Sequence, residues 1–166
     1  MKLSEEDREW RLSLKEGSLI DAIKIEKDYN LKCWAKAKIL EVKGDGSYFL
    51  VDFENEPAKS ARELTRYSLE IARYEQMSKD DEWRNNLKVS DLIDAFDSTK
   101  IWYASTIVAT NTIVSDDRQI PQVKVGFRIY HPEGNKEEEH TKQKFFGWSE
   151  KFDEWINNYN PRIQKF

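Results

Sequence analysis

EWRLSLKEGSLIDA (Glu9–Ala22) and EWRNNLKVSDLIDA (Glu82–Ala95) agree at nine of fourteen positions, at a constant offset of 73 residues. Unrelated segments almost never agree that well, so the pair indicates a duplication. The likeness continues downstream with small shifts. CWAKAKIL (Cys33–Leu40) corresponds to IWYASTIV (Ile101–Val108), and FLVDF (Phe49–Phe53) to VKVGF (Val123–Phe127). A boundary near residue 78 gives two domains, 1–78 and 79–166, each small enough to be one compact unit.

Within each unit the apolar period is mostly two. Val123, Val125, Phe127 and Ile129 alternate with Lys124, Gly126, Arg128 and Tyr130, the pattern of a half-buried strand. Ala35, Ala37 and Ile39 alternate with Lys36 and Lys38 in the same way. KGDGS (Lys43–Ser47) is turn chemistry, because Asp-Gly favours tight hairpins. The corresponding join in the second unit, Thr110 to Pro121, reads as longer and polar. EWR heads each unit as a short helical turn with its Trp packed across the barrel mouth or the unit junction, and LIDA opens the first strand. RELTRYSLEIARYEQ (Arg62–Gln76) contains the closing strand of unit one and the linker. Four or five short strands with little helix are too few for a sandwich, and a small, strongly bent barrel fits better. The expected fold is therefore mostly β: two small five-stranded barrels in tandem, with short helical turns.

Composition agrees with small domains. The chain has 166 residues, 39% apolar and 35% charged, with a mean hydropathy of −0.83. That mix suits high surface-to-volume units better than one large core. Aromatic residues at 13% argue against disorder. No apolar run approaches a membrane span or a signal-peptide core. One cysteine, Cys33, allows no internal disulfide, so a reducing compartment is expected. With only His131 and His140 beside it, the usual zinc ligand sets cannot be assembled. The net charge of −4 gives no global basic footprint for nucleic acid.

The segment FFGWSEKFDEWI (Phe145–Ile156) packs five rings among four charged residues. Trp148, Phe152 and Trp155 stand at i, i+4 and i+7, the spacing of one helical face, which admits core packing as well as a site. The order LIDAFD, WYAS, a strand, GWSEKFDEWI and RIQKF resembles the chromo-barrel (Tudor-knot) and related Tudor-type domains of chromatin proteins, including the MRG, MSL and MOF types. The resemblance covers most of residues 92–166 and, more weakly, 19–76. It implies a nuclear reader whose second barrel holds a methylated lysine of a histone tail in an aromatic cage. Matched position by position, that cage comprises Tyr103, Phe145, Trp148 and Phe152, with Asp97 in the loop after the first strand. Trp155 then serves as a core anchor. Other subunits of a chromatin complex are further partners that the resemblance implies.

The physics of such a cage is general. A trimethylammonium carries charge but cannot donate a hydrogen bond, and ring faces offer it negative potential on a dry surface. An acidic group such as Asp97 would favour lower methylation states, which keep an N–H to donate. Unit one departs from the pattern: Ala35 stands where Tyr103 stands, and NEPAKSARELTRY lacks both GW and DEW. Its expected role is structural, or a separate protein contact. Trp34 and Trp102 align with each other and read as core.

Two other function classes stay open. The barrels could be a non-catalytic protein-interaction scaffold, such as the accessory region of a larger enzyme of the ubiquitin-hydrolase kind. Alternatively Lys32, Lys36, Lys38 and Lys43 form a basic strip for nucleic acid, with Trp34 to stack a base. Glu133, Glu137, Glu138 and Glu139 of HPEGNKEEEHTKQK (His131–Lys144) read as a solvated hairpin extension, or as an acidic lure for a basic peptide. Catalysis is not expected, because no phosphate-loop or nucleophile grouping occurs, and the adjacency of Asp153 and Glu154 is explained by caps and surface pairing. No cofactor is implied.

Overall fold

The computed structural model describes residues 2–56, 61–130 and 145–166, without the side chains of Tyr130, Phe145 and Phe146. The acidic segment His131–Lys144 lies outside the described residues.

The chain is mostly β, with two five-stranded antiparallel sheets and few short helices. Helix α1 (Glu5–Ser13) comes first. Its Ser4 cap accepts from the Asp7 amide at 3.1 Å, and Glu5, Glu6 and Asp7 line its positive end. Five strands follow: β1 (Leu19–Glu26), β2 (Leu31–Lys43), β3 (Tyr48–Phe53), β4 (Arg62–Thr65) and β5 (Ile71–Arg73). They lie in the order β4-β3-β2-β1-β5. The last strand thus returns to pair with the first, as a bent meander requires.

A 3-10 segment (Ser78–Asn86) leads into β6 (Leu92–Phe96), β7 (Trp102–Ser115), β8 (Arg118–Gly126), β9 (Arg128–Tyr130), β10 (Phe145–Gly147), β11 (Glu154–Asn157) and β12 (Ile163–Lys165). The second sheet runs β11-β8-β7-β6-β12, the same order strand for strand, while β9 and β10 form a separate hairpin. By contacts, one compact unit comprises Met1–Ile25, Lys32–Trp83 and Val114–Ile120, and the other Glu26–Leu31, Arg84–Ile113 and Pro121–Phe166.

Registers agree as closely as sequences. Phe49 pairs with Leu64 and Val51 with Arg62; at their counterparts, Val123 pairs with Ile156 and Val125 with Glu154. The Ile39 carbonyl accepts from Gly17 N at 2.8 Å, and the Ile107 carbonyl accepts from Ser90 N at 2.8 Å. These pairs confirm the alignment that sets Ala35 opposite Tyr103. Ala35, Ala37 and Ile39 are buried as the alternation required, as are Val123, Val125 and Phe127.

The repeated EWR has a sharper role than an indole lid. Arg11 is 4% exposed and donates to the carbonyls of Arg66 (2.8 Å), Ser68 (2.6 Å) and Ile71 (3.0 Å). Arg84 is 1% exposed and donates to those of Asn158 and Asn160, both at 2.9 Å. In each unit a guanidinium fork therefore ties down the turn before the closing strand, where main-chain carbonyls lack ladder partners. The tie is reciprocal. Arg66 donates back to the Arg11 carbonyl, and Asn158 Nδ2 to the Arg84 carbonyl at 2.9 Å. Burial pushes the Arg11 guanidinium below its usual range, with the Asp7 carboxylate opposing that shift.

Several expectations are corrected. Thr110–Pro121 is a continuation of β7 and β8 joined by Asp116–Asp117, both with left-handed φ (49° and 63°). Residues 62–76 hold the expected closing strand, β5, but also a second strand, β4, ahead of it. Gly126 and Arg128, read as the outward face, are buried. No helix spans Trp148, Phe152 and Trp155, only a 3-10 turn (Glu150–Phe152) followed by β11. Strand alternation on β11 turns Ile156 inward, leaving Trp155 45% exposed instead of anchoring the core. Trp102 is likewise 42% exposed, its ring resting on Phe96 at 5.0 Å, and Trp34 is half-buried.

Candidate functional site

The site lies in the second unit, where β6 ends. Asp97 follows β6 directly, and its Oδ1 accepts from the Thr99 amide (2.9 Å), the Thr99 hydroxyl (2.7 Å) and the Ile101 amide (3.1 Å). This Asx-type turn fixes the carboxylate against its own loop. The other oxygen, Oδ2, accepts from the Trp148 indole Nε1–H at 3.0 Å. Asp97 is 4% exposed. It is therefore a buried bracket that sets the orientation of an indole.

Trp148 is aimed from its other end by Gly147. That glycine closes β10 with φ 121°, and the Trp148 amide donates to the Phe127 carbonyl at 2.8 Å. The ring consequently stands at the centre of a row. Tyr103, on β7 opposite Ala95, meets it edgewise with centroids 6.2 Å apart and planes at 70°. Phe152, at the end of the 3-10 turn, meets it at 5.2 Å and 61°. These spacings fall within the attractive range for edge-to-face rings.

A hollow of about 260 Å³ opens beside Trp148 and Phe152, with Asp97, Thr99, Phe127 and Lys151 among its lining residues. It is smaller than a typical drug-sized pocket, and suits a single side chain. Phe152 is 46% exposed, so its ring forms an accessible wall. Of the residues singled out from sequence, Asp97, Trp148 and Phe152 meet at this hollow. Tyr103 buttresses Trp148 and is not among the lining residues. Phe145 pairs with Tyr130 in the β9–β10 hairpin, but its side chain lies outside what is described.

Sequence reasoning missed three participants. Lys151 lines the hollow and holds its ammonium 5.0 Å from the Phe152 centroid. Asp153 is not a surface or capping carboxylate: it forms a bidentate pair with buried Arg128, one arm at 3.2 Å. Glu154 ion-pairs with Arg162 at 2.7 Å. The signal for the first of these pairs was Gly126, where a Cβ would come within 2.9 Å of the Arg128 guanidinium. A glycine within an alternating apolar run marks just such a close approach.

The basic strip of unit one is largely neutralised. Lys32 lies 3.8 Å from Glu70, Lys36 3.9 Å from Glu75, and Lys43 3.2 Å from Glu63. The Glu63 hydrogen bond raises the Lys43 ammonium above its usual range. The neighbouring phenol of Tyr74, beneath Lys36, is pushed up to about 12 by burial and then by its bond to Glu54. Among the described residues, no group of three or more His, Cys, Asp or Glu could hold a metal ion, and no helix is long and apolar enough to cross a membrane.

No family model matches the chain, and no curated protein matches it. Among solved structures it is similar to AGD34 of Arabidopsis thaliana AGDP1, with 18% identity over 89% of this chain and 88% of that one, at a TM-score of 0.34. It is also similar to the four MBT repeats of Drosophila melanogaster Sfmbt in complex with the peptide RHR(me)K VLR. That match has 13% identity over 99% of this chain and 42% of that one, at a TM-score of 0.31. Both likenesses are slight, and the functional reading rests on the geometry of the site.

Proposed function

We propose that the second unit is a non-catalytic binding module for a methylated lysine side chain, presented by a histone tail in the nucleus. The observation that carries the reading is the fixed indole of Trp148, oriented by Asp97 and flanked by the accessible Phe152 ring at the mouth of a hollow of side-chain size. A methylated ammonium entering there meets ring faces and a buried carboxylate held by neutral donors. Each ring contact contributes roughly 0.5–1 kcal/mol when exposed and about 2 when desolvated. Micromolar binding requires about 8 kcal/mol, so two rings supply selectivity and flanking peptide contacts must supply the remainder.

The test is a modified-histone peptide array followed by solution titration of the best peptide against wild type and Trp148→Ala. Methyl-dependent binding that disappears in Trp148→Ala supports the reading. Equal binding of methylated and unmethylated peptides, or full retention in the variant, removes it and leaves the protein-interaction scaffold as the better account.

A further inference from the structure

The carboxylates around the hollow differ in what they still offer a ligand. Asp97 spends Oδ1 on three donors of its own loop and Oδ2 on the Trp148 indole, and is almost wholly buried. Asp153 has both oxygens committed to Arg128. Glu154 also lines the hollow; its side chain is 32% exposed and its Oε2 lies 2.7 Å from Arg162 Nη2. That contact is charge against charge without a hydrogen bond, because the buried Nη2 donates to no partner among the described residues. Glu154 therefore reaches the hollow with its acceptor capacity open.

A ring holds Arg162 back from full engagement. Tyr29, in the turn between β1 and β2, belongs by contacts to the second unit. Its ring centroid lies 4.2 Å from the Arg162 guanidinium carbon, and it meets Phe96, the neighbour of Asp97, edgewise at 6.0 Å. The turn is pinned there by Glu26, whose Oε2 accepts from Asn160 Nδ2 at 2.8 Å. Arg162 Nε donates to the Phe96 carbonyl at 2.9 Å. One face on a ring and one edge on a carbonyl fix the guanidinium plane. In that plane Nη2 does not aim its hydrogens at Glu154.

We propose that Glu154 reads a residual N–H on the ligand, so that the hollow prefers mono- and dimethyllysine to trimethyllysine, and that Tyr29 is the positioning residue that keeps Glu154 open. This deepens the reading of unit two as a methyl-lysine module and rests on it. A mono- or dimethylammonium gives an N–H to Glu154 as a charge-assisted bond and lays its methyl groups on the rings of Trp148 and Phe152. A trimethylammonium presses methyl groups against the same carboxylate and strips its water without returning a donor. Sequence reasoning gave the acceptor role to Asp97, whose oxygens are spent on the Asx turn and the indole; the role passes to Glu154. Without the ring at position 29 the guanidinium is free to rotate and donate to Glu154, which consumes the acceptor.

The experiment uses the full chain and N-acetyl-lysine N-methylamide carrying zero to three ε-methyl groups. Binding is followed by NMR at the Trp148 indole N–H. The dimethyl compound is expected to bind about fivefold more tightly than the trimethyl, equivalent to about 1 kcal/mol. In Glu154→Gln, which weakens the acceptor, the two should fall within about twofold of each other. Tyr29→Leu should close the gap in the same way, whereas Tyr29→Phe, which keeps the stacking face, should retain it. A merely structural role for Tyr29 would lower all affinities together and leave their ratio unmoved. Trimethyl binding equal to or tighter than dimethyl overturns the selectivity while leaving the methyl-lysine reading standing. A gap unchanged in Glu154→Gln removes Glu154 as the acceptor, and one unchanged in Tyr29→Leu, or lost equally in Tyr29→Phe, removes the positioning role. Failure of all four compounds to move the indole signal, together with a silent peptide array, overturns both readings.

Discussion

A Cβ built on Gly147 would lie 2.0 Å from the Phe127 carbonyl oxygen, and the residue's φ of 121° is closed to ordinary side chains. Gly17 has a positive φ too, 86°, yet nothing stands within 4 Å of its added Cβ. The two glycines therefore separate backbone strain from collision. Gly17→Ala should cost about 1–2 kcal/mol, the left-handed penalty alone. Gly147→Ala should cost more, on the order of 3 kcal/mol, because main chain must shift as well. It should also tilt Trp148 away from Asp97, shifting indole fluorescence and weakening methyl-lysine binding at least tenfold. Urea midpoints and fluorescence of the two variants check this, and equal effects would remove the special role of Gly147. At this scale sequence was a partial guide. GW drew attention to an indole that lines the hollow, but that Asp97 faces inward as a bracket depends on an Asx turn formed by Thr99 and Ile101, which spacing alone does not reveal.

At the scale of elements, legibility followed burial. Strands with one face in the core, such as residues 35–39 and 123–127, announced themselves by alternation. The hairpin of β7 and β8 did not: Thr110 to Val114 are all exposed, so no face imprints a period, and the stretch resembles a loop. The rings at 148, 152 and 155 erred in the opposite direction, their helical spacing arising by accident from a 3-10 turn abutting a strand. The hairpin's turn offers a test of its assignment. Asp116 and Asp117 occupy consecutive left-handed positions, as a two-residue hairpin loop of the favoured twist demands. Asp117→Gly should leave the fold intact and raise stability by up to about 1 kcal/mol by relieving the left-handed penalty. Asp117→Val should lower it by about 1 kcal/mol or more, since a β-branched residue resists that conformation. Chemical denaturation of the pair reads the signs directly. Matching signs would contradict a tight turn at this position.

Across the whole molecule, the duplication predicts shared architecture but not shared function, and the two units diverge at the residues that matter for a site. Counterparts drift from 73 residues apart at LIDA to 92 at Leu64 and Ile156, yet the buried arginine fork and the strand order persist. These were selected by folding. The hollow's chemistry was not. Lys24 occupies the position of Asp97, buried and donating to Glu56 at 2.5 Å, so the first unit carries its own cation there. Ala35 replaces Tyr103, and no aromatic residue occurs between Phe53 and Arg62, where the second unit carries Trp148 and Phe152. An incoming ammonium would find like charge and no ring. Calorimetric titration of the full chain with the best methylated peptide should therefore saturate at one equivalent. Trp148→Ala should abolish the whole signal, and Ala35→Tyr should leave the stoichiometry unchanged, because one ring cannot offset a resident lysine. A second equivalent, or residual binding in Trp148→Ala, would mean that the first unit recognises the ligand by chemistry other than a cage.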